Sequence, residues 1–373
     1  MSSRKRVTIV NEFPGQESDR MAADLAVELQ RLLPEHQVVS INGLIAKYRP
    51  GGLKPSRLLN WVYLHARVGW ECLFRPPETL IVVSSPPLIQ ITAAALGSLR
   101  NVRVVSWLMD YHPEIEARMV ERTSRGIARL LRSVDKVALD RTALVVTLDP
   151  AMEGLLRANG YQRDIIVHPT WAPSAVRALS EVAGDDVGGT LRLMFVGNLG
   201  RSHSLETFEG LLKLLPGKVN LLALGASDLG LAQFRALAER AGIPFEGHGR
   251  LPFAEFKQRI AEFKPHYGLV FMHPSSGGLV SPSKFVTYLQ QGIPILYVGP
   301  EGSNAWLACS RFDAGLAVSA RASEAELREA AFKVSSPERH QSFRGGTRAA
   351  LNFFNSHDAT TLATALVKKL WPK

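Results

Sequence analysis

The chain has 373 residues, more than one ordinary core holds and enough for two domains of roughly 180 residues each. Apolar types make up 46% and charged types 21%, which excludes a disordered or fibrous chain. Two cysteines, Cys72 and Cys309, exclude a disulfide framework and a cysteine-based zinc site, and their scarcity fits a reducing compartment. No apolar run reaches the roughly 20 residues of a membrane span. The basic start Arg4-Lys5-Arg6 leads into no apolar h-region, so it is expected to be a solvated tail on a cytoplasmic protein. The net charge of +10, from 44 Lys and Arg against 34 Asp and Glu, points to an anionic partner: nucleic acid, an anionic membrane or a phosphate-bearing substrate. Part of the excess is local, because Lys47, Arg49, Lys54, Arg57, Arg67 and Arg75 face the single acid Glu71 between His36 and Pro77.

In chain order, the first half alternates strands and helices. The β-branched run at 6–10 predicts a strand, and Met21, Leu25, Leu29 and Leu32 predict a helix over 19–33. A strand at 37–41 follows. The continuous apolar run at 79–83 is of the kind buried on both faces of a parallel sheet. Pro86-Pro87 stops it, before a helix at 88–99 and strands at 102–107, 144–147 and 165–168. Residues 172–190 are rich in Ala, Ser, Gly and Asp and predict an interdomain linker. A second alternating series runs through strands at 192–196, 219–224, near 245, 267–272 and 294–298, with helices near 205–215, 228–241, 253–263 and 284–291. The segment 358–370 predicts an amphipathic helix that packs back on the first half. Such alternation predicts two Rossmann-like α/β domains with ligands at the carboxyl ends of the strands. The boundaries fall at 1–171, 172–190 for the linker, 191–352 and 353–373.

Four stretches carry chemistry-bearing residues. At 193–204 a strand runs into Gly197-Asn198-Leu199-Gly200-Arg201. Glycines let backbone approach a ligand, helix-start amides favour phosphate, and Arg can neutralise a diphosphate; an ordinary strand-to-helix turn is the other reading. At 275–284 Ser276-Gly277-Gly278-Leu279 precede Ser283-Lys284 and a helix. A cation opposes the dipole at a helix start, which a bound anion would compensate; a solvated loop is the other reading. At 106–114 a strand ends in Asp110, His112 and Glu114, placed either for chemistry or as ordinary turn and helix-start residues. At 58–74 Leu58, Trp61, Val62, Leu64, Val68, Trp70 and Leu73 alternate with Arg57, Arg67 and Arg75. That stretch reads either as a membrane-interface helix or as a core-facing helix with a charged outer face. The chain has no GxxxxGK(S/T), GxSxG, HExxH or CxxC motif, and no aromatic-and-basic sheet of a nucleic-acid binder, so no nucleic-acid partner is expected.

Taken in order, Val83-Ser84-Ser85-Pro86-Pro87, Trp107-Leu108-Met109-Asp110-Tyr111-His112-Pro113-Glu114, Phe195-Val196-Gly197-Asn198-Leu199-Gly200 and Ser281-Pro282-Ser283-Lys284 through Gly292-Ile293-Pro294 resemble the retaining glycosyltransferases of family 4. His168-Pro169-Thr170-Trp171 also stands where that family has a turn before its linker. The resemblance covers nearly the whole chain. It implies the GT-B fold of two facing Rossmann-like domains and transfer of a sugar from a nucleotide-diphosphate sugar, a UDP-sugar above all, to a glycan or lipid-linked acceptor. It implies no metal and no cofactor beyond that donor. Arg201 and Lys284 would contact the diphosphate. Gly197, Asn198, Gly200, Ser276, Gly277, Gly278, Leu279, Ser283 and Thr287 would line the donor, with backbone amides of 276–279 offered to it. Asp110 would orient substrate or stabilise charge, and Trp61, Arg67 and His112 would lie on the acceptor or membrane side, at the inner face of a membrane. Leu279 and Thr287 stand where many members have the two carboxylates of Glu-x7-Glu, so the ribose contact departs from the family pattern. A nucleotide-sugar epimerase or hydrolase on the same fold, or a non-enzymatic anion- or glycan-binding relative, is the alternative.

Overall fold

Short β-branched and apolar runs form most of the strands among the described residues, and each strand lies in one of two parallel sheets. The computed structural model describes residues 5–12, 17–44, 55–112, 114–119, 125–177, 179–184, 187, 189–215 and 217–372. Two units emerge: Met1–Trp171 with Gly278–Ser281 and His357–Lys373, and Ala172–Gly277 with Pro282–Ser356. The first holds β1 (Lys5–Asn11), α1 (Glu17–Leu32), β2 (His36–Asn42), α2 (Pro55–Phe74), β3 (Thr79–Val83), α3 (Ile89–Ser98), β4 (Arg103–Trp107), α4 (Glu114–Met119), α5 (Arg125–Leu139), β5 (Leu144–Thr147), α6 (Pro150–Ala158) and β6 (Ile165–Val167). The second holds α7 (Ser174–Arg177), β7 (Thr190–Val196), α8 (Glu206–Leu212), β8 (Lys218–Leu224), α9 (Asp228–Ala241), β9 (Phe245–His248), α10 (Phe253–Phe263), β10 (Tyr267–Phe271), α11 (Phe285–Gln290), β11 (Ile295–Gly299), α12 (Asn304–Phe312), β12 (Gly315–Ser319), α13 (Glu324–Ser335) and α14 (Pro337–Asn355). The last helix, α15 (Ala359–Leu370), returns to the first unit.

The first sheet runs β2-β1-β3-β4-β5-β6 and the second β12-β11-β10-β7-β8-β9, all pairs parallel. Numbered within each unit, the first sheet runs 2-1-3-4-5-6 and the second, read from β9, runs 3-2-1-4-5-6; both are doubly wound, with one reversal of direction. In the first unit the reversal lies between β1 and β3. In the second unit it lies between β7 and β10.

Period-two alternation sends the apolar residues of the first sheet to two cores. Val7, Ile9, Ile81, Val83, Val105 and Trp107 pack on Met21, Leu25 and Leu29 of α1 and on Leu362 and Leu366 of α15. Val10, Leu80, Val82 and Val104 pack on Leu64, Val68 and Cys72 of α2 and on Ile89 and Ala93 of α3. The helix α15 starts at a capping box, in which the Asp358 carboxylate accepts from the Thr361 amide and the Thr361 hydroxyl takes the Asp358 amide. At its other end the Trp371 indole donates to Glu78 at 3.0 Å and lies beneath the Arg103 guanidinium. In the second unit β10 and β11 are buried along their whole length, as central parallel strands are.

Three expectations change. Arg6 is no solvated tail, because it lies in β1 and donates to the buried Glu71 and to the Arg75 carbonyl; Arg4 lies outside the described residues. The stretch expected as a linker carries α7 and is tied to the second unit by amide bonds from Val182 to the Gln291 carbonyl and from Gly184 to the Pro265 carbonyl, each 3.0 Å. The outer face of α2 is not simply a charged one: Leu58, Leu59, Val62, Trp70 and Phe74 are exposed on this helix. Lys47, Arg49 and Lys54 of the basic stretch lie outside the described residues.

Candidate functional site

The carboxyl ends of β7 and β10 flank the reversal of the second sheet, where open α/β sheets bind ligands. The turn after β7 is built around Gly197, whose φ of 120° suits glycine and whose amide donates to the Leu224 carbonyl at 2.8 Å. A Cβ on Gly197 would lie 3.7 Å from Cγ and Cε of Lys284, so the lysine stem runs over this glycine. Arg201 leaves the same turn four residues later. Both cations are exposed, and among the described residues neither has a carboxylate partner. Two uncompensated cations at a glycine turn suit a polyanion. The structure thus brings Lys284 onto Gly197 from a string more than 80 residues away, with Arg201 following Gly197 in the chain.

The surrounding polar groups hold this turn rather than face outward. Asn198 Oδ1 accepts from the Ser227 amide at 3.0 Å, binding the turn to the start of α9. Gly200 donates its amide to Nδ1 of His203 at 3.0 Å, and the His203 amide returns to the Gly200 carbonyl at 3.1 Å. Burial holds the His203 pKa below its ordinary value, which keeps Nδ1 an acceptor. The His273 amide donates to the Ser202 carbonyl at 2.6 Å, and the Ser276 hydroxyl donates to the same carbonyl at 3.2 Å. Tyr288 ties the strand ends from beneath: its hydroxyl accepts from the Val196 amide at 2.8 Å and donates to the Leu269 carbonyl at 3.2 Å. A cleft of about 300 Å3 on the helix side of the turn is lined by Leu199, Gly200, His203, Leu205, Gln233, Ala236 and Arg240; its arginine is already paired with Glu209. Ser283 and Thr287 lie half-buried on either side of Lys284, and the Thr287 amide is spent on the Lys284 carbonyl at 3.0 Å.

Sequence reasoning missed His203, His273 and Tyr288. Their only signal was position, since each stands within a few residues of a glycine or lysine that sequence reasoning singled out.

The loop after the 3-10 turn Pro274–Ser276 departs from its expected role. Ser276 is buried and its amide donates to the His273 carbonyl at 2.8 Å, so that amide is not offered to a ligand. Gly277 stands against Pro300, which a Cβ would meet at 3.1 Å. Gly278 and Leu279 belong to the first unit. Gly278 has φ of 73°, and a Cβ there would meet the Ala151 carbonyl oxygen at 2.6 Å. Leu279 is fully buried among Leu108, Tyr111, Met152, Leu156 and Tyr161. Its carbonyl accepts from the Tyr111 amide at 2.8 Å, and Val280 forms an antiparallel bridge with Asp110. A leucine stands here because the position is core.

In the first unit Asp110 is exposed at the end of β4, on a backbone held by Ser84. The Ser84 hydroxyl accepts from the Met109 and Asp110 amides at 2.9 and 3.2 Å and donates to the Asp110 carbonyl at 2.9 Å. A buried polar network underlies this loop. Gln90 donates to the His112 carbonyl at 3.1 Å and to Asp135 at 2.9 Å. Burial raises the Asp135 carboxyl to about 7. Glu114, fully buried, accepts from Arg132 at 2.6 and 3.0 Å, Arg118 at 3.1 Å and Asn159 at 3.0 Å. Glu114 is therefore structural, while Asp110 and the half-buried His112 stay at the strand end. Pro113 lies outside the described residues.

On α2, Trp61 donates to the Pro87 carbonyl at 3.0 Å and stacks on His65. Arg67 is engaged by the buried Glu71 at 2.8 Å, which also takes Arg6. Arg67 thus compensates an internal carboxylate and is not a free basic contact. Among the described residues no helix is long and apolar enough to cross a membrane, and no cluster of three or more His, Cys, Asp or Glu could hold a metal ion.

Comparison with protein-family models and with the sequences of curated proteins finds no match. Solved structures do match over nearly the full length. Sucrose-phosphate synthase from Thermosynechococcus elongatus is similar with a TM-score of 0.68 at 11% identity, covering 98% of each chain. HepE from Anabaena, in complex with UDP-glucose, has a TM-score of 0.62 at 11% identity, covering 98% of this chain and 99% of that one. WaaG, a glycosyltransferase involved in lipopolysaccharide biosynthesis, has a TM-score of 0.61 at 11% identity, covering 98% of this chain and 100% of that one. At such identities the likeness carries the fold alone: the chain has the two doubly wound α/β domains of the GT-B fold.

Proposed function

We propose that the chain is a retaining glycosyltransferase that moves a sugar from a nucleotide-diphosphate sugar, a UDP-sugar above all, to a hydroxyl of a glycan or lipid-linked acceptor. The observation that carries this reading is the Lys284 stem lying over Gly197, in a turn that continues to Arg201, both cations being exposed and without carboxylate partners among the described residues. The shared fold with HepE bound to UDP-glucose and with WaaG supports the same direction.

In this reading the diphosphate lies against Arg201 and Lys284, with Gly197 leaving room for its oxygens. As the bond from the anomeric carbon to the diphosphate breaks, negative charge grows on the leaving oxygen. Fixed cations stabilise that charge most when they are already in place; Asn198 and His203 hold the turn that carries Arg201, and Tyr288 ties α11, which Lys284 caps, to the end of β7. The departing phosphate takes the acceptor proton on the face it leaves, so the sugar keeps its anomeric configuration and no protein base is required. Asp110, on its rigid strand end, orients substrate or stabilises positive charge at the anomeric carbon. The buried Leu279 makes no ribose contact, so any side-chain contact to ribose on that helix falls to Thr287, a neutral hydroxyl.

The test is release of nucleoside diphosphate from a panel of UDP-, GDP-, ADP- and dTDP-sugars, with and without glycan acceptors. Acceptor-dependent release from one donor, lost in Arg201→Ala and Lys284→Ala, is the expected result, and the anomeric proton coupling of the product reads retention. Equal release without acceptor would identify a hydrolase, and undiminished turnover in both variants would overturn the site.

A further inference from the structure

Two buried acids lie beneath the loop that carries Asp110, Tyr111 and His112, and their surroundings differ. Glu114 is met by Arg118 and Arg132, as a buried carboxylate requires. Asp135 of α5, only 1% exposed, has no Arg or Lys partner among the described residues. It faces Gln90 of α3, Tyr111 and His112 of the loop, and Glu114 at the start of α4. On α5 itself, Arg132 is taken by Glu114 and Lys136 by Asp140. Burial opposes ionisation of Asp135 and the Glu114 charge adds to it, against the Gln90 and Tyr111 hydrogen bonds and the His112 imidazole.

Hydrogen bonding points the same way by a separate route. The Gln90 amide nitrogen donates to Asp135 Oδ1 at 2.9 Å, so amide and carboxyl meet. The other oxygens of these two groups, Asp135 Oδ2 and Gln90 Oε1, are both buried and have no hydrogen-bond partner among the described residues. Both are acceptors, and a buried acceptor without a donor is costly. One proton on Oδ2 supplies the missing donor and closes an acid–amide pair. The same Gln90 nitrogen donates to the His112 carbonyl at 3.1 Å. The pair therefore holds one end of a loop whose Asp110 backbone is held by Ser84 and whose Tyr111 amide is held by the Leu279 carbonyl.

We propose that Asp135 is a proton-carrying positioning residue: its neutral acid form locks Gln90, and through it the loop of Asp110 and His112, and its ionised form releases them. On ionisation the proton passes to solvent water and no covalent bond between heavy atoms changes. Two bare oxygens then face each other, their repulsion turns Gln90, and the His112 carbonyl loses its donor. The effect on turnover rests on the transferase reading; the proton on Asp135 does not.

Asp135→Asn tests it, because asparagine keeps the shape of the neutral acid and a donor in its place at every pH. Infrared difference spectra, parent minus variant, show a carboxylic-acid carbonyl band at about pH 5.5 that is gone at about pH 8.5. The folded state holds this proton more tightly than the unfolded chain does. The group's contribution to stability is thus complete below the ordinary aspartate value near 3.8 and lost as pH rises to about 7. Asp135→Asn escapes that loss, so at about pH 8.5 its Tm lies several degrees above the parent's. In nucleotide-sugar turnover the parent's kcat falls about tenfold between about pH 7 and pH 9 with the donor KM unchanged, while the variant's kcat stays level. Gln90→Leu cuts the tether itself and lowers kcat at every pH, with helix content kept. Absence of the band overturns the inference, as does an Asp135→Asn protein less stable than the parent at about pH 8.5, because the carboxylate is then ionised and stabilised in the fold. So does a kcat profile that Asp135→Asn leaves unchanged. If every donor is inert, the transferase reading fails, and the infrared and unfolding results decide the proton on their own.

Discussion

Replacing Lys284 by alanine separates function from stability at one position. Lys284 is exposed, has no carboxylate partner among the described residues, and stands at the N-cap of α11, where its charge opposes the helix dipole. Removing that charge relieves about 0.3–1 kcal/mol. The stem packs on Gly197 at ordinary van der Waals distance, so its loss offsets part of the gain. The apparent Tm is expected to stay level or rise by no more than about 4 °C. If the ammonium contacts a diphosphate, the variant loses a charge-assisted contact of about 1.5–3 kcal/mol, or about 10- to 150-fold in UDP affinity. Isothermal titration with UDP, beside thermal unfolding of the free protein, reads both quantities. A Tm lowered by several degrees with UDP affinity unchanged would refute the reasoning, because the lysine would then serve the fold.

Further expectations concern the loop and the cores. Gly278→Ala puts a methyl 2.6 Å from the Ala151 carbonyl at φ of 73°, so it costs more than about 2 kcal/mol in urea unfolding. Leu279→Glu places the family's carboxylate in an apolar cluster and is expected to unfold the first unit, whereas Leu279→Met is tolerated; a folded Glu variant with improved donor binding would show that this position faces the ligand. Burial, with His357 adding to it, lowers the His168 pKa to about 4. The unfolded chain therefore takes up the proton first, near pH 6.5, and this group's contribution is complete above that pH and lost between about 6.5 and 4 as pH falls, by up to about 3 kcal/mol. His168→Asn flattens that part of the pH–stability curve, and an unchanged slope would show that His168 titrates normally.

Strand and helix positions were legible wherever the apolar period was strong. The runs at 79–83 and 144–147 are strands at the expected residues, and 228–241 and 253–263 are helices at theirs. The helix α5 was passed over although its apolar residues recur at spacings of three and four, and half of them face outward in the fold. Residues 304–355 held three further helices that a search for strand ends passed over. The sequence strings at Gly197 and Lys284 were visible, but their meeting depends on β7 and β10 being neighbours in the second sheet, which no local pattern reveals. Leu279 shows the limit from the other side. Its place in a motif suggested a ligand contact, while its burial against Leu108 and Tyr111 is set by residues distant in sequence.

The most direct test of the central claim is a crystal structure of the full chain soaked with UDP. The account predicts the diphosphate at the Gly197 turn, within hydrogen-bond distance of both Arg201 and Lys284. A diphosphate bound elsewhere, for instance in the cleft between His203 and Arg240, would contradict it.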